Sequence, residues 1–273
     1  MLSIFWRTVK DKKLSLIIYS VASVGFLEMY IALFPSLQKQ SQQLSELMKS
    51  YPDSFFKAFN IDSNQLSFTE IGSYLGMEQF NFIWPVMAIA FAIGFANYSL
   101  AGEVEKGTAE ILLSQPISRL KIFFSKYFVG LGFLAIFTFI SVFAIIPLAK
   151  MHSANVDVSK IAFFALISFL FVWAVYGIAF LASSFFAEKG KAAFTVSGIL
   201  ILMYVLNIVG GLKESLKDLR YFSFFNYFQP ANVIDKGQAD NLTFYVFIGV
   251  AIIASLLAAL WFNRKDVAVS GKT

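Results

Sequence analysis

Six runs of about 20 mostly apolar residues divide this chain, at 14–34, 80–101, 128–148, 161–186, 193–212 and 242–262. Wound as a helix rising 1.5 Å per residue, each is long enough to cross about 30 Å of hydrocarbon. Inside hydrocarbon the backbone must satisfy itself, so only helices and closed barrels can span. The runs are continuously apolar rather than alternating, which points to helices. Composition agrees: with 58% hydrophobic and 14% charged residues, the chain cannot cover a soluble surface of this size. The expected fold class is an all-α polytopic membrane protein with six transmembrane helices. Residues 1–273 form a single transmembrane domain, with no room for a separate soluble domain of ordinary size. Cysteine is absent, which excludes disulfides and thiol chemistry.

The polar segments carry the remaining detail. Residues 1–13 are basic and amphipathic: Ile4, Phe5 and Val9 can share a face, leaving Arg7, Lys10, Lys12 and Lys13 for anionic headgroups at the inner leaflet. The run after them is too long for a signal-peptide core, so it reads as a retained first span, closed by Pro35. In 36–79, Leu37, Leu44, Met48, Tyr51, Phe55 and Phe59 make one apolar stripe broken near Pro52, which predicts two short helices lying on the outer surface or capping the bundle, with a plain loop as the alternative. Pro85 lies near the outer end of the second span, where a kink costs least. Segment 213–241 bunches Tyr221, Phe222, Phe224, Phe225, Tyr227 and Phe228, rings suited to a membrane–water interface.

Six spans put both termini on one side. The N-terminus, the 102–127 loop, the 187–192 turn and the tail hold 13 Lys and Arg in about 55 residues, against 9 in about 87 for the other three loops. The denser side is expected to be cytoplasmic, making 36–79 and 213–241 extracellular. The net charge of +5 is thus read as topology, and no nucleic-acid partner is expected.

Enzyme chemistry finds little footing. Gly271-Lys272-Thr273 imitates the end of a phosphate-binding loop, but the first glycine would fall on Asp266 and no helix can follow. The chain is expected not to hydrolyse nucleotide itself. His152, the lone histidine, stands without a second His or any Cys and reads as a solvated loop residue, so no metal site is expected. Glu28 is the one carboxylate well inside a span. Substrate contact and structural pairing are both open for it, with water or a nearby Lys within reach. Asn97 and Asn207 are weaker cases of the same kind and suit helix–helix hydrogen bonds. These three are the candidates for a substrate pathway.

The longest polar interruption on the basic side is 102–127, GEVEKGTAEILLSQPISRLKIFFSKY. Thr108 can cap a helix starting near Ala109, with Glu110 in its first turn, and Pro116 ends it. Ser118 can cap a second helix that runs into the third span, with Arg119 and Lys121 near its start. A short helix held at the membrane face by two spans makes a rigid plug for a soluble partner; a solvated loop with ordinary snorkelling charges is the alternative.

This stretch resembles the permease subunits of ABC-2 type ABC transporters. The resemblance rests on Glu103, Glu105, Gly107-Thr108, Glu110, Leu112-Leu113-Ser114, Pro116 and Ser118-Arg119, with Lys126 at the start of the next span. The six spans, the amphipathic N-terminus and the outer segments fit as well, so it covers essentially the whole chain. It implies a coupling loop after the second span that meets a separately encoded ABC ATPase subunit, which would bind ATP and Mg; this chain is expected to hold no cofactor. It also implies a second permease subunit, a lipid bilayer setting, a prokaryotic plasma membrane and, for most members, export. A second reading is an energy-independent membrane protein, such as an immunity or assembly factor, whose loop binds another partner. A third, an intramembrane enzyme, lacks facing catalytic groups.

Overall fold

The structure is a computed structural model that describes residues 2–48, 50–58, 70–109 and 117–265. Among the described residues it is helical, without strands, and six helices are long and apolar enough to cross a membrane: Phe5–Lys39, Ile71–Ser99, Arg119–Met151, Val158–Phe185, Lys189–Leu212 and Asn241–Arg264. We number these first to sixth span. Glu110, Leu112, Leu113 and Pro116, with the helix expected between Ala109 and Pro116, lie outside the described residues, as do Phe59 and the Gly271-Lys272-Thr273 tail.

The fourth span is apolar on every face, as befits a helix that other helices surround. It packs against the second, third, fifth and sixth spans and is the most buried of the six. The first and fifth spans flank the bundle and keep most of their surface outside it. Side-chain oxygens fix several helix starts: Asp157 accepts from the Ser159 and Lys160 amides, Asp240 from Leu242, and Ser118 from Lys121 at 3.4 Å, the cap expected of it.

Three local expectations need correction. Pro35 does not close the first helix, which runs unbroken from Leu2 to Lys39. The ring removes a single rung near the helix end, where one more turn costs little, and Phe34 packs against Tyr74 at 5.6 Å to hold the backbone in place. The basic N-terminal segment and the first span are therefore one rod. The outer stripe fails at Tyr51 and Phe55, which are exposed; Phe56 is the ring turned inward from the Asp53–Ala58 helix, which packs on the fifth span. The aromatic bunch is split rather than interfacial as a whole. Tyr221 and Phe222 are exposed, but Phe224, Phe225 and Phe228 are buried, and Phe228 stacks on Phe171 at 4.6 Å and on Trp84 at 6.0 Å. Trp84 stacks in turn on Phe137 and donates its indole N–H to Ser141 at 2.7 Å. The 213–241 segment thus dips into the bundle and closes its far end.

The second span begins at Ile71, and its turn Gln79–Ile83 is a π-helix immediately ahead of Pro85. Pro85 lacks an N–H and crowds the preceding turn, and the wider turn takes up that misfit.

Candidate functional site

The start of the first helix, the end of the sixth span and the described residues just after the second and fourth spans gather at one end of the bundle. We call it the terminal end. The site is built on the residues just beyond the second span. The Ala101–Glu105 helix is closed by Gly107, whose φ of 70° is the left-handed conformation that suits glycine. Its amide donates to the Val104 carbonyl and the Thr108 amide to the Glu103 carbonyl, both at 3.0 Å. This pair of bonds is a Schellman motif, and it reverses the chain as it leaves the membrane. The sequence signal for it is a glycine two residues past the last helical position, in Glu105-Lys106-Gly107.

The turn sets the two glutamates on different neighbours. Glu103 meets the buried Lys126 of the third span at 2.6 Å, and the same ammonium donates to the Ser99 carbonyl at 2.8 Å. The Thr108 hydroxyl also donates to the Glu103 carboxylate. Burial pushes the Glu103 carboxyl up, but Lys126 and Thr108 together outweigh it and hold the group below the usual carboxylate range. Thr108 therefore spends its proton on Glu103, and the helix it was expected to cap lies outside the described residues. Glu105 points the other way. It accepts the Lys189 amide at 2.8 Å and lies 3.4 Å from the Lys189 ammonium. The Lys189 amide, first among its contacts, holds the Glu105 carboxyl below its ordinary range. Glu188, the residue at the cap position of the fifth span, pairs with Lys191 and offers no side-chain bond to the backbone, so Glu105 caps that helix from across the loop.

Further bonds lace the same end. Asn97 donates to the Lys189 carbonyl at 3.2 Å. Ser183 of the fourth span donates to the Ala96 carbonyl and accepts the Ala101 amide. Arg119 donates to the Lys265 carbonyl at 2.6 Å, and the Lys265 ammonium reaches the last carbonyls of the fourth span, Ser184 and Phe185. Of the basic N-terminal residues, Arg7 and Lys12 come to this cluster: Arg7 lies near Asp11, and Lys12 lies over the Tyr98 ring. Lys10 and Lys13 are exposed on the rod.

Between the second and fifth spans runs a groove of about 810 Å³. Phe82, Val86, Ile89, Ile93, Leu200 and Tyr204 make it apolar, and Asn97 and Lys189 stand at the terminal end of it. Of the three pathway candidates only Asn97 lines this groove. Asn207 donates to the Ala58 carbonyl at 3.3 Å and accepts from Arg220 at 3.4 Å, fastening the outer segments to the fifth span at the opposite end. Glu28 is also at that opposite end, and its partner there is not a lysine. Its Oε1 lies 2.8 Å from Nε2 of His152. His152 is thus not a solvated loop residue: it tethers the turn after the third span to the first. A pairing across 124 residues leaves no local trace in sequence. Among the described residues no three His, Asp or Glu side chains converge to hold a metal ion.

Together these features define a multi-pass helical membrane protein with an apolar groove through its bundle and a polar lattice at one end. A family model described as ABC-2 family transporter protein matches residues 5–267, and the chain belongs to that family. It is a membrane component of ABC transport, of a kind that is generally not catalytic itself and typically works with an ATPase subunit. No curated protein matches it.

Proposed function

We propose that this chain is the permease subunit of an ABC exporter, driven by a separate ATPase subunit that docks on the 102–127 loop. In this reading the ATPase subunit binds ATP and Mg, and a second permease subunit, identical or related, completes the transporter. The terminal end faces the cytoplasm of a prokaryotic cell, in keeping with its excess of Lys and Arg. The observation that carries the proposal is the division of labour between the two glutamates. Glu103 ties the loop to the third span and Glu105 ties it to the fifth. The fifth span is one wall of the groove and the second span, from which the loop springs, is the other. A push on the loop therefore reaches the second span through the chain itself and the fifth through the charge-assisted bond of Glu105. Glu110, Leu112, Leu113 and Pro116 supply docking residues, and Ser118 and Arg119 return the push to the third span and the end of the sixth. The groove lining suits an apolar or amphipathic cargo.

The test is co-expression with an ABC ATPase subunit, followed by co-purification and measurement of ATP turnover and transport in liposomes. The wild-type chain should retain the ATPase subunit, and Glu110→Lys should release it. Glu105→Gln should leave the ATPase subunit bound while transport per ATP hydrolysed falls about tenfold or more. A wild-type chain that retains no ATPase subunit would sink the proposal in favour of an energy-independent role. Tight coupling in Glu105→Gln would remove the mechanical part.

A further inference from the structure

At the terminal end a cleft of about 400 Å³ opens between the start of the first span and the turn after the second. Arg7, Asp11, Tyr98, Glu103, Lys106 and Thr108 line it. Its two acids are already satisfied. Asp11 accepts the Tyr98 hydroxyl and lies 3.9 Å from Arg7, and Glu103 is held by Lys126 and Thr108. Lys106 of its lining is not, nor is Lys12, which stands beside the cleft over Tyr98. The Lys12 ammonium stands 4.2 Å from the centre of the Tyr98 ring and the Lys106 ammonium 5.7 Å from it. Neither has a carboxylate within 4.0 Å among the described residues. Two like charges converging on one ring repel each other, and the ring's quadrupole offsets only part of that. An anion between them and Arg7 would reverse the sign of the local balance.

The surroundings identify the anion's carrier. Phe5 and Trp6, next to Arg7, are exposed at 43% and 54%, as rings at headgroup depth are. Leu14, Ile18 and Val21 are also exposed and fall seven, eleven and fourteen residues after Arg7, on the same helical face. Because the rod is unbroken from Leu2 to Lys39, this apolar track leads straight down from the cleft. We propose that the cleft is a binding site for an anionic phospholipid, with the headgroup phosphate held by Arg7, Lys12 and Lys106 and an acyl chain lying along Leu14, Ile18 and Val21. The site is separate from the groove and does not depend on ATPase docking. A bound lipid would bridge the first span to the turn that carries Glu103 and Glu105, so its presence stiffens the loop.

Native mass spectrometry of the full chain in detergent tests this, with dioleoyl phosphatidylglycerol, dioleoyl phosphatidylcholine and inorganic phosphate as probes. One phosphatidylglycerol should stay bound per chain, at concentrations where phosphatidylcholine does not. Lys12→Gln with Lys106→Gln should weaken it about 30-fold, from roughly fivefold per lysine near an anionic lipid. Lys12→Arg with Lys106→Arg should retain it, which separates lost charge from lost fold. Lys121→Gln with Lys191→Gln removes equal charge at the same end outside the cleft and should change binding less than about threefold. Equal losses from the two lysine-to-glutamine pairs, or no loss from the first, would overturn the site. Displacement of the lipid by inorganic phosphate at equal concentration would overturn its assignment to a lipid.

Discussion

Lys126 is the residue on which the terminal end turns. It is 2% exposed and carries a charge that burial makes costly. Glu103 and the Ser99 carbonyl offset that cost at 2.6 and 2.8 Å. Removing one partner leaves the other unpaired, so Glu103→Ala should destabilise the chain by about 3 kcal/mol, the scale for breaking a buried pair. Lys126→Met combined with Glu103→Ala should recover at least half of that loss. Thermal unfolding of the four species in detergent gives the coupling directly; additive losses would show that the two side chains do not act as a pair. The pair also has a pH signature. A glutamate held low in the folded state adds stability above its unfolded pKa of about 4.3, and loses it as pH falls through the lower folded value. The stability gap between wild type and Glu103→Gln should therefore stay constant from pH 8 to about 5 and close below about 4. In the sequence Lys126 stands as a basic residue at the start of a span and Glu103 as half of an acidic pair, with nothing to join them. Twenty-three positions and a loop separate them, and no local pattern encodes their meeting.

At the scale of elements, what was legible followed backbone rules that act locally. The six spans announced themselves by length and polarity, and Ser118 by its position ahead of an apolar run. Helix ends that depend on neighbours did not. Pro35 looked like a stop because a proline removes a rung, and it is not one because packing against Tyr74 outweighs the loss of a rung. Phe228 looked interfacial because it sits in a polar segment, and it is buried because that segment folds back onto Phe171 and Trp84. The turn at Gly107 belongs to the legible kind. An added Cβ there would meet nothing within 4 Å, so the cost of a side chain is purely that of the left-handed backbone. Gly107→Val should cost about 1–2 kcal/mol and Gly107→Asn distinctly less, since Asn tolerates that conformation. The same order should appear in hydrogen exchange of the Thr108 amide, which the turn protects. Equal effects of Val and Asn would mean that the Schellman turn does not govern this loop's exit from the membrane.

For the whole molecule, the two ends are fastened differently. The terminal end is laced by bonds that join the second, third, fourth, fifth and sixth spans near the 102–127 loop. The opposite end is closed by aromatic stacking and by scattered tethers, Glu28 to His152, Asn207 to Ala58, and Ser73 and Lys160 to Asp235. The groove runs from one kind of fastening to the other, from Lys189 to Phe225. Motion imposed at the laced end would move helices as units and reach the groove walls from there. The groove should then be the passage, and filling it should block cargo without loosening the lattice. Gly94 allows the test, since it lines the groove and has nothing within 4 Å of an added Cβ. Gly132 is equally open but lies on the third span outside the groove. Gly94→Trp should lower binding of a neutral lipophilic fluorescent probe to the purified chain about tenfold, while Gly132→Trp leaves it within about twofold. Both variants should keep the unfolding temperature of the wild type within a few degrees, because the Cβ added at either position meets no atom within 4 Å. If Gly94→Trp binds the probe as the wild type does, the cargo route lies elsewhere, and the lattice drives a different part of the bundle.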